Sequence, residues 1–183
     1  MALLGISARV GGLLLAGGLV VSAQTAPARE YQIKAVFLFN FAQFVEWRPA
    51  DFADANSPIV IGVLGADPFG AYLDETVMGE KVDNRPLTVE RYRTVDEIKA
   101  CHILFISRSE TNRLLPILSG LNGRNVLVVG DSDNFVQRGG MIQLANAQNK
   151  VRLIVNAEAA KAANLTISSK LLRSAEVVTP SRK

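Results

Sequence analysis

The residue types that could carry chemistry are few in this chain, and none stands in a catalytic or metal-binding pattern. The sequence has one cysteine and one histidine, Cys101 and His102, and they are adjacent. Neighbouring residues on a strand point to opposite faces, so these two cannot form a nucleophile–base pair. One Cys and one His also exclude a structural zinc site within one chain. We therefore expect a packed cysteine, a hydrogen-bonded histidine, no catalytic residue, no metal and no cofactor.

The remaining motifs are incomplete. Asp131 and Asp133 are spaced like the start of a calcium-binding loop, but the later ligands and the central glycine are absent. The glycines at 62, 65 and 70 do not form G-x-G-x-x-G, and residues 168–170 lack the S-x-x-K spacing of a serine–lysine nucleophile. These motifs therefore predict an ordinary capped turn and a helix cap, and no enzyme.

Long apolar runs predict the strands that would position any site. Continuous apolar runs typical of strands buried on both faces occur at residues 59–64, 101–106 and 125–129. Residues 87–92 alternate, which is typical of a strand near an edge. Residues 141–145 and 151–156 predict a C-terminal antiparallel hairpin. Because each buried run precedes a helical segment, we predict a three-layer, Rossmann-like α/β domain with a mostly parallel sheet plus that hairpin.

Capping and turn residues delimit the predicted helices. The predicted helices are residues 30–47, 68–78, 95–100, a helix that follows residues 107–110 and ends near Gly120 with a kink at Pro116, 157–163, and a last helix through 170–175. Ser168 or Ser169 is expected to cap the last one.

In an open parallel sheet, ligands bind beyond the carboxyl ends of the strands. Asp67, Ser109 and Asp131 follow the three buried runs and precede helix starts. These residues are the candidate ligand loops, although any sheet of this kind has similar turns.

The predicted first helix carries more aromatic residues than a surface helix needs. One broad face is expected to pack on the core, with Lys34, Phe37, Leu38, Phe41, Phe44 and Val45. The other side mixes polar and apolar residues. Its candidate partner or dimer interface consists of Val36, Phe39, Asn40, Gln43 and Trp47. This side is covered either by the chain itself or by a second protein.

Composition and the N-terminus bound the class of protein. The chain has 183 residues and a formal net charge of +3 that is not concentrated in any run, so no nucleic-acid partner is indicated. Residues 1–23 have the pattern of a Sec-type signal peptide: Arg9, an apolar run and small residues before a cleavage after Ala23. We predict a linker at 24–29, one domain over 30–178, a tail at 179–183 and export to an oxidising compartment. The mature chain then has one cysteine and no intrachain disulfide.

Several segments together resemble the YfiR family, also called DUF4154. Residues 34–47, KAVFLFNFAQFVEW, are similar to the family's opening K-A-x-F-L-Y-N-F-x-K-F-x-x-W. The other similar segments follow in one consistent order: 64–70, 85–87, 101–110, 139–142, 151–156 and 167–172. The combination is specific, whereas no single segment would be.

The resemblance implies a periplasmic α/β domain that binds the periplasmic domain of an inner-membrane sensor. It implies repression of a diguanylate cyclase, control of cyclic di-GMP and biofilm formation, and a homodimer. Other relatives act beside histidine kinases, so the partner's class stays open. Some relatives use redox-responsive disulfides, which this sequence lacks within one chain. The alternative is a periplasmic small-ligand-binding protein that feeds a sensor or transporter.

Overall fold

The computed structural model describes residues 26–148 and 150–179. Within them the helices are α1 (Ala26–Phe44), α2 (Ala71–Val77), α3 (Leu114–Gly120), α4 (Ala157–Ala162) and α5 (Ser169–Arg173). The strands are β1 (Val45–Glu46), β2 (Ile59–Leu64), β3 (Lys81–Val82), β4 (Arg85–Tyr92), β5 (Ile103–Ile106), β6 (Leu127–Gly130), β7 (Ile142–Ala147), β8 (Lys150–Val155), β9 (Thr166–Ile167) and β10 (Glu176–Val177). The predicted signal peptide and cleavage site lie outside these residues.

The main sheet has eight strands in the order β10-β8-β7-β6-β5-β2-β4-β3. Five neighbouring strands, from β4 to β7, run parallel, and every residue of β2, β5 and β6 is buried. These three strands confirm the predicted buried runs, because only strands covered on both faces can be apolar throughout. The chain passes from β2 to β4 on one side and then to β5 on the other. The sheet therefore has a topological switch point between β2 and β5.

Antiparallel strands extend the parallel sheet at both ends. The predicted hairpin is confirmed as β7 and β8, which pair from Ile142↔Val155 to Ala147↔Lys150. At the other end β3 pairs antiparallel with β4, which places β4 next to the edge as predicted. The strands β10 and β3 and the separate pair β1 and β9 were not predicted, because two-residue strands leave no periodic signal.

Helices cover both faces of the sheet. Phe105 of β5 packs on Phe69, just before α2, with ring centroids 4.8 Å apart, and α2 packs against α1. Ile106 points to the opposite face and pairs in register with Leu64, which lines a cavity together with Ile117 of α3. The α1–α2 layer and the α3 layer thus enclose the sheet. The predicted three-layer α/β architecture is confirmed.

The first helix differs from its prediction at both ends. It begins at Ala26, so the described part of the predicted 24–29 linker is helical. It ends at Phe44, and the predicted continuation to Trp47 is wrong because Val45 pairs with Ile167 in β1–β9. The N–H of Ser168 donates to the Phe44 carbonyl at 2.8 Å, which satisfies a helix-terminal acceptor. Local amphipathicity could not show this, because the partners lie more than a hundred residues away.

Other helix boundaries also shift for local reasons. α2 starts at Ala71 instead of residue 68, since Gly70 has φ +55° and Asp67 Oδ1 accepts the N–H of Phe69 in a turn. Pro116 is the third residue of α3, within the first helical turn, where a proline is tolerated. The preceding residues, Arg108–Arg113, form a 3-10 helix, which avoids a clash between the Pro116 ring and a carbonyl four residues earlier. Residues 95–97 form a 3-10 turn instead of the helix predicted over 95–100.

Candidate functional site

The outward side of α1 exposes an apolar surface. Val36 is 48% exposed and Ile33 is 40% exposed, three residues apart on one side of the helix. Asn40, half-buried, and Gln43, exposed, continue the same side toward the C-terminus of α1. The structure therefore brings together three of the five predicted interface residues. Ile33 was missed, although its spacing from Val36 is visible in the sequence.

Trp47 lies elsewhere, and Phe39, three residues after Val36 on α1, is turned partly into the core. Phe39 is half-buried and packs against the hydrophobic core. Trp47 lies beyond the end of α1, where its ring meets the His102 ring edge-on at 5.8 Å. Trp47 therefore lies apart from the exposed side of α1, because the helical geometry that would have aligned it with Val36 stops at Phe44.

A shallow depression adjoins α1 on the sheet side. It has a volume of about 340 Å³ and is lined by Phe37, the β8 segment 151–153, Ser174 and Glu176. Phe37 is half-buried, so its ring forms part of both the core and this surface. The apolar area available for contact thus extends beyond Ile33 and Val36.

Ser109 joins the two loops at the switch point, which follow β2 and β5. Its Oγ accepts the N–H of Ala66 at 3.0 Å and donates to Glu110 Oε1 at 3.3 Å. Gly65 has φ +92°, and a Cβ there would come within 2.4 Å of Ser109 Oγ. The glycine thus permits the close approach of the loops that follow β2 and β5. The crevice where open sheets bind ligands is partly filled by the protein itself.

Asp67 has internal partners as well. Its Oδ2 accepts from Arg91 Nε at 3.0 Å, and Arg91 also pairs with Asp74 at 2.5 Å. The hydrogen bond to Asp74 contributes most to raising the pKa of Arg91, and the bond to Arg91 lowers the pKa of Asp74. This cluster ties α2 to β4.

Asp131 is the most deeply buried of the three loop candidates, at 1% exposed. Its Oδ2 accepts from Lys34 Nζ at 2.5 Å and from the Tyr31 hydroxyl at 2.9 Å. Burial raises the pKa of Tyr31, and the nearby Asp131 carboxylate raises it further. All three loop candidates therefore contact other parts of the chain, and they do not converge on one cavity.

Comparison with protein families gives a specific match. The sequence profile described as DUF4154, YfiR/HmsC-like, matches residues 31–176, most of the chain. The chain belongs to the YfiR/HmsC-like family. At family level this places it among periplasmic regulators of cyclic di-GMP signalling, a regulatory and non-enzymatic family. The matched region starts within α1 and ends at β10.

Two solved structures show only a distant likeness to this YfiR/HmsC-like chain. A conserved domain protein from Vibrio cholerae O1 biovar El Tor str. N16961 has 13% identity and a TM-score of 0.49, over 64% of this chain and 54% of its own. An ABC domain from Streptococcus pneumoniae in complex with L-Trp has 11% identity and a TM-score of 0.49, over 66% and 55%. The match spans about half the length of each structure, and it supports no functional argument. No curated protein matches the chain significantly.

The cysteine and histidine of this YfiR/HmsC-like domain are packed as predicted. Cys101 is buried, and burial raises the pKa of its thiol to about 12, so it is a poor nucleophile. His102 is buried between Phe52, stacked at 4.5 Å, and Trp47. Burial lowers the pKa of His102. The two side chains form no catalytic pair.

Among residues 26–148 and 150–179, no group of three or more His, Cys, Asp or Glu could hold a metal ion. Across the same residues, no helix is long and apolar enough to cross a membrane.

Proposed function

We propose that this protein is exported to the periplasm, where it binds the periplasmic domain of an inner-membrane diguanylate cyclase and restrains the cyclase. Membership of the YfiR/HmsC-like family supports this role. Binding would lower cyclic di-GMP and biofilm formation, and release would raise both. Such a role depends on a contact surface and not on a reactive group.

The single observation that carries this proposal is the exposed apolar side of α1. Ile33 and Val36 are large apolar side chains in water, next to half-buried Phe37. Scattered exposed apolar residues are common, but adjacent ones beside a depression favour a protein contact. Asn40 and Gln43, which continue this side of α1, are uncharged, and charged residues are depleted at the centre of protein–protein interfaces.

We also propose that the protein forms a homodimer in the absence of the sensor. The α1 side is one surface that a second copy could cover, and a symmetric dimer would place Val36 of both copies near the two-fold axis. Dimer and sensor complex would then compete. Sedimentation of the mature protein, alone and with the sensor domain, would show whether sensor binding dissociates the dimer.

Deletion and binding experiments test the regulatory role. Deletion of the gene should raise cyclic di-GMP and surface attachment, and expression of the exported protein should restore both. The mature protein should also retain the periplasmic domain of a co-encoded membrane cyclase on an affinity column. Unchanged cyclic di-GMP on deletion, together with no recovery of a sensor from membranes, would contradict the proposal. Recovery of a histidine kinase instead would preserve the regulatory class and change the partner.

One cavity favours the alternative role in small-ligand binding. It has a volume of about 270 Å³ and lies where β2 and β4 end, lined by Leu64, Arg93, Glu110 and Arg113. Glu110 is buried and pairs with Arg113 at 2.6 Å. A ligand at about 100 times its Kd would stabilise the protein by about 2.7 kcal/mol. A thermal-shift screen of periplasmic metabolites with the wild type and Glu110→Gln tests this role, and no shift with any compound would count against it.

A further inference from the structure

Lys34 is completely buried, at 0% exposed, and it heads the largest fully buried side chains among the described residues. It is the one charged member of the buried side of α1, which otherwise consists of Ala35, Leu38, Phe41 and Ala42. An ammonium group loses its hydration when buried and therefore needs a compensating charge. The role of Lys34 therefore depends on the charged groups that surround its Nζ atom.

The partners of Lys34 come from α1 and from the end of β6. Its Nζ lies 2.5 Å from Asp131 Oδ2, whose side chain is also 0% exposed, and it pairs with Glu30 one turn earlier in α1. Arg108 approaches the same Asp131 oxygen at 3.5 Å and donates to the Asp131 carbonyl at 2.8 Å. The cluster holds two positive and two negative side chains, so it is neutral overall. It joins α1 to the loop that follows Gly130.

The position of this cluster gives it a geometric effect that apolar packing cannot supply. Burial of Leu38 and Phe41 is favourable in many orientations, because the hydrophobic effect has no direction. The Lys34–Asp131 contact forms only when α1 has one rotation about its axis and one position along that axis. A turn by one residue, about 100°, would carry Lys34 away from Asp131 and move Val36 off its outward side.

The pair is a weak source of net stability. Replacing a buried ion pair by apolar residues of similar size is often neutral, whereas removing one partner leaves an unpaired buried charge. Asp131 Oδ1 also has no hydrogen-bond partner among the described residues, so the pair is incompletely satisfied. Its main contribution should therefore be to the placement of α1.

We propose that Lys34 and Asp131 are positioning residues that fix the rotation of α1 on the sheet and so hold Ile33 and Val36 outward for a partner. The part about partner affinity rests on the function proposed above. The part about α1 does not, because the placement of the helix can be measured without a partner.

Hydrogen exchange of the mature protein tests the placement. In the double variant Lys34→Met/Asp131→Leu, α1 amides should exchange at least about tenfold faster than in the wild type. Those of β2 and β5 should be unchanged, and Tm should stay close to the wild-type value. Affinity for the sensor domain should fall at least about tenfold. Ile117→Val, in the opposite layer, is the control that lowers Tm without a selective effect on α1.

A second variant keeps the test decisive if the double variant does not fold. Asp131→Asn is isosteric and keeps an acceptor for Tyr31, while the Lys34 charge remains paired with Glu30. It should still raise α1 exchange selectively. If the α1 amides of either folded variant exchange at the wild-type rate, the positioning role is overturned. If the wild type binds no sensor domain, the proposed function fails, while the α1 exchange rates still decide this inference.

Discussion

The Nδ1 atom of His102 accepts a hydrogen bond from the backbone N–H of Val60 at 3.0 Å. In the neutral imidazole an accepting Nδ1 places the proton on Nε2, so protonation of Nδ1 would break this contact. The ring also stacks on Phe52 in a buried position, where a charge is poorly solvated. His102 therefore couples the start of β2 to the ionisation of one side chain.

Acidification should destabilise the fold in the window where His102 titrates. Burial lowers the pKa of His102 below its ordinary 6.5, with a contribution from Arg85, while Asp51 opposes it. Because the unfolded chain then binds the proton more readily, the free energy of unfolding should fall as pH drops below 6.5. The limiting slope is about 1.4 kcal/mol per pH unit.

Urea unfolding between about pH 7 and about pH 5 measures this slope. His102→Asn keeps a hydrogen-bond acceptor and removes the titration, and His102 is the one histidine of the sequence. The variant should therefore show a flatter profile. An equal slope in wild type and variant would assign the effect to other groups.

Gly65→Ala should destabilise the protein more than Gly79→Ala. Both glycines have positive φ, +92° and +76°, so alanine is strained at either position. Strain of this kind costs about 1–3 kcal/mol. At residue 65 the new methyl group would also meet Ser109 Oγ at 2.4 Å, whereas nothing lies within 4 Å at residue 79.

Thermal melts of the two glycine variants separate steric conflict from backbone strain. Adding Ser109→Gly to Gly65→Ala should recover part of the lost stability. Equal losses for Gly65→Ala and Gly79→Ala would contradict the tight junction between the loops after β2 and β5.

Val36→Glu should weaken sensor binding and leave folding intact. Val36 is 48% exposed, so a carboxylate there stays hydrated in the free protein and is desolvated in a complex. We expect at least a tenfold loss of affinity, about 1.4 kcal/mol. Leu115→Glu is the matched control, since Leu115 is 59% exposed on α3, in the opposite layer. Equal affinities of the two variants in calorimetry would argue against α1 as the contact surface.

Trp47→Ala should act on stability more than on binding. The ring is half-buried against His102, and removal of such an aromatic ring costs about 3 kcal/mol. Trp47→Phe retains a ring and should lose less. Phe39→Ala should behave like Trp47→Ala because Phe39 also packs on the core. A large loss of sensor affinity with unchanged Tm would instead place Trp47 in the interface.

Export should remove the first 23 residues. N-terminal sequencing of the protein from a periplasmic extract should begin at Gln24, after the small residues Ser22 and Ala23. Ala23→Arg should block cleavage and leave the precursor in the membrane fraction. Recovery of the intact chain from the wild type would mean that this segment is an uncleaved anchor.

Patterns local in the chain predicted much of this protein. A strand that is buried on both faces needs apolar side chains at nearly every position. The continuous apolar runs therefore predicted β2, β5 and β6. The hairpin of β7 and β8 was predicted from two strand-like segments joined by a polar loop. The family motif in residues 34–47 indicated the family. Each of these signals lies within a short segment.

Tertiary structure alone decided which residues of those segments meet. Lys34 was predicted on the core-facing side of α1, but its partner Asp131 is 97 residues away. Trp47 lies outside α1 because the helix ends at Phe44 and Val45 pairs with Ile167. Asp67, Ser109 and Asp131 were candidate ligand loops, and the fold shows that each contacts another part of the chain. Such contacts depend on chain closure over long separations, and local periodicity carries no information about them.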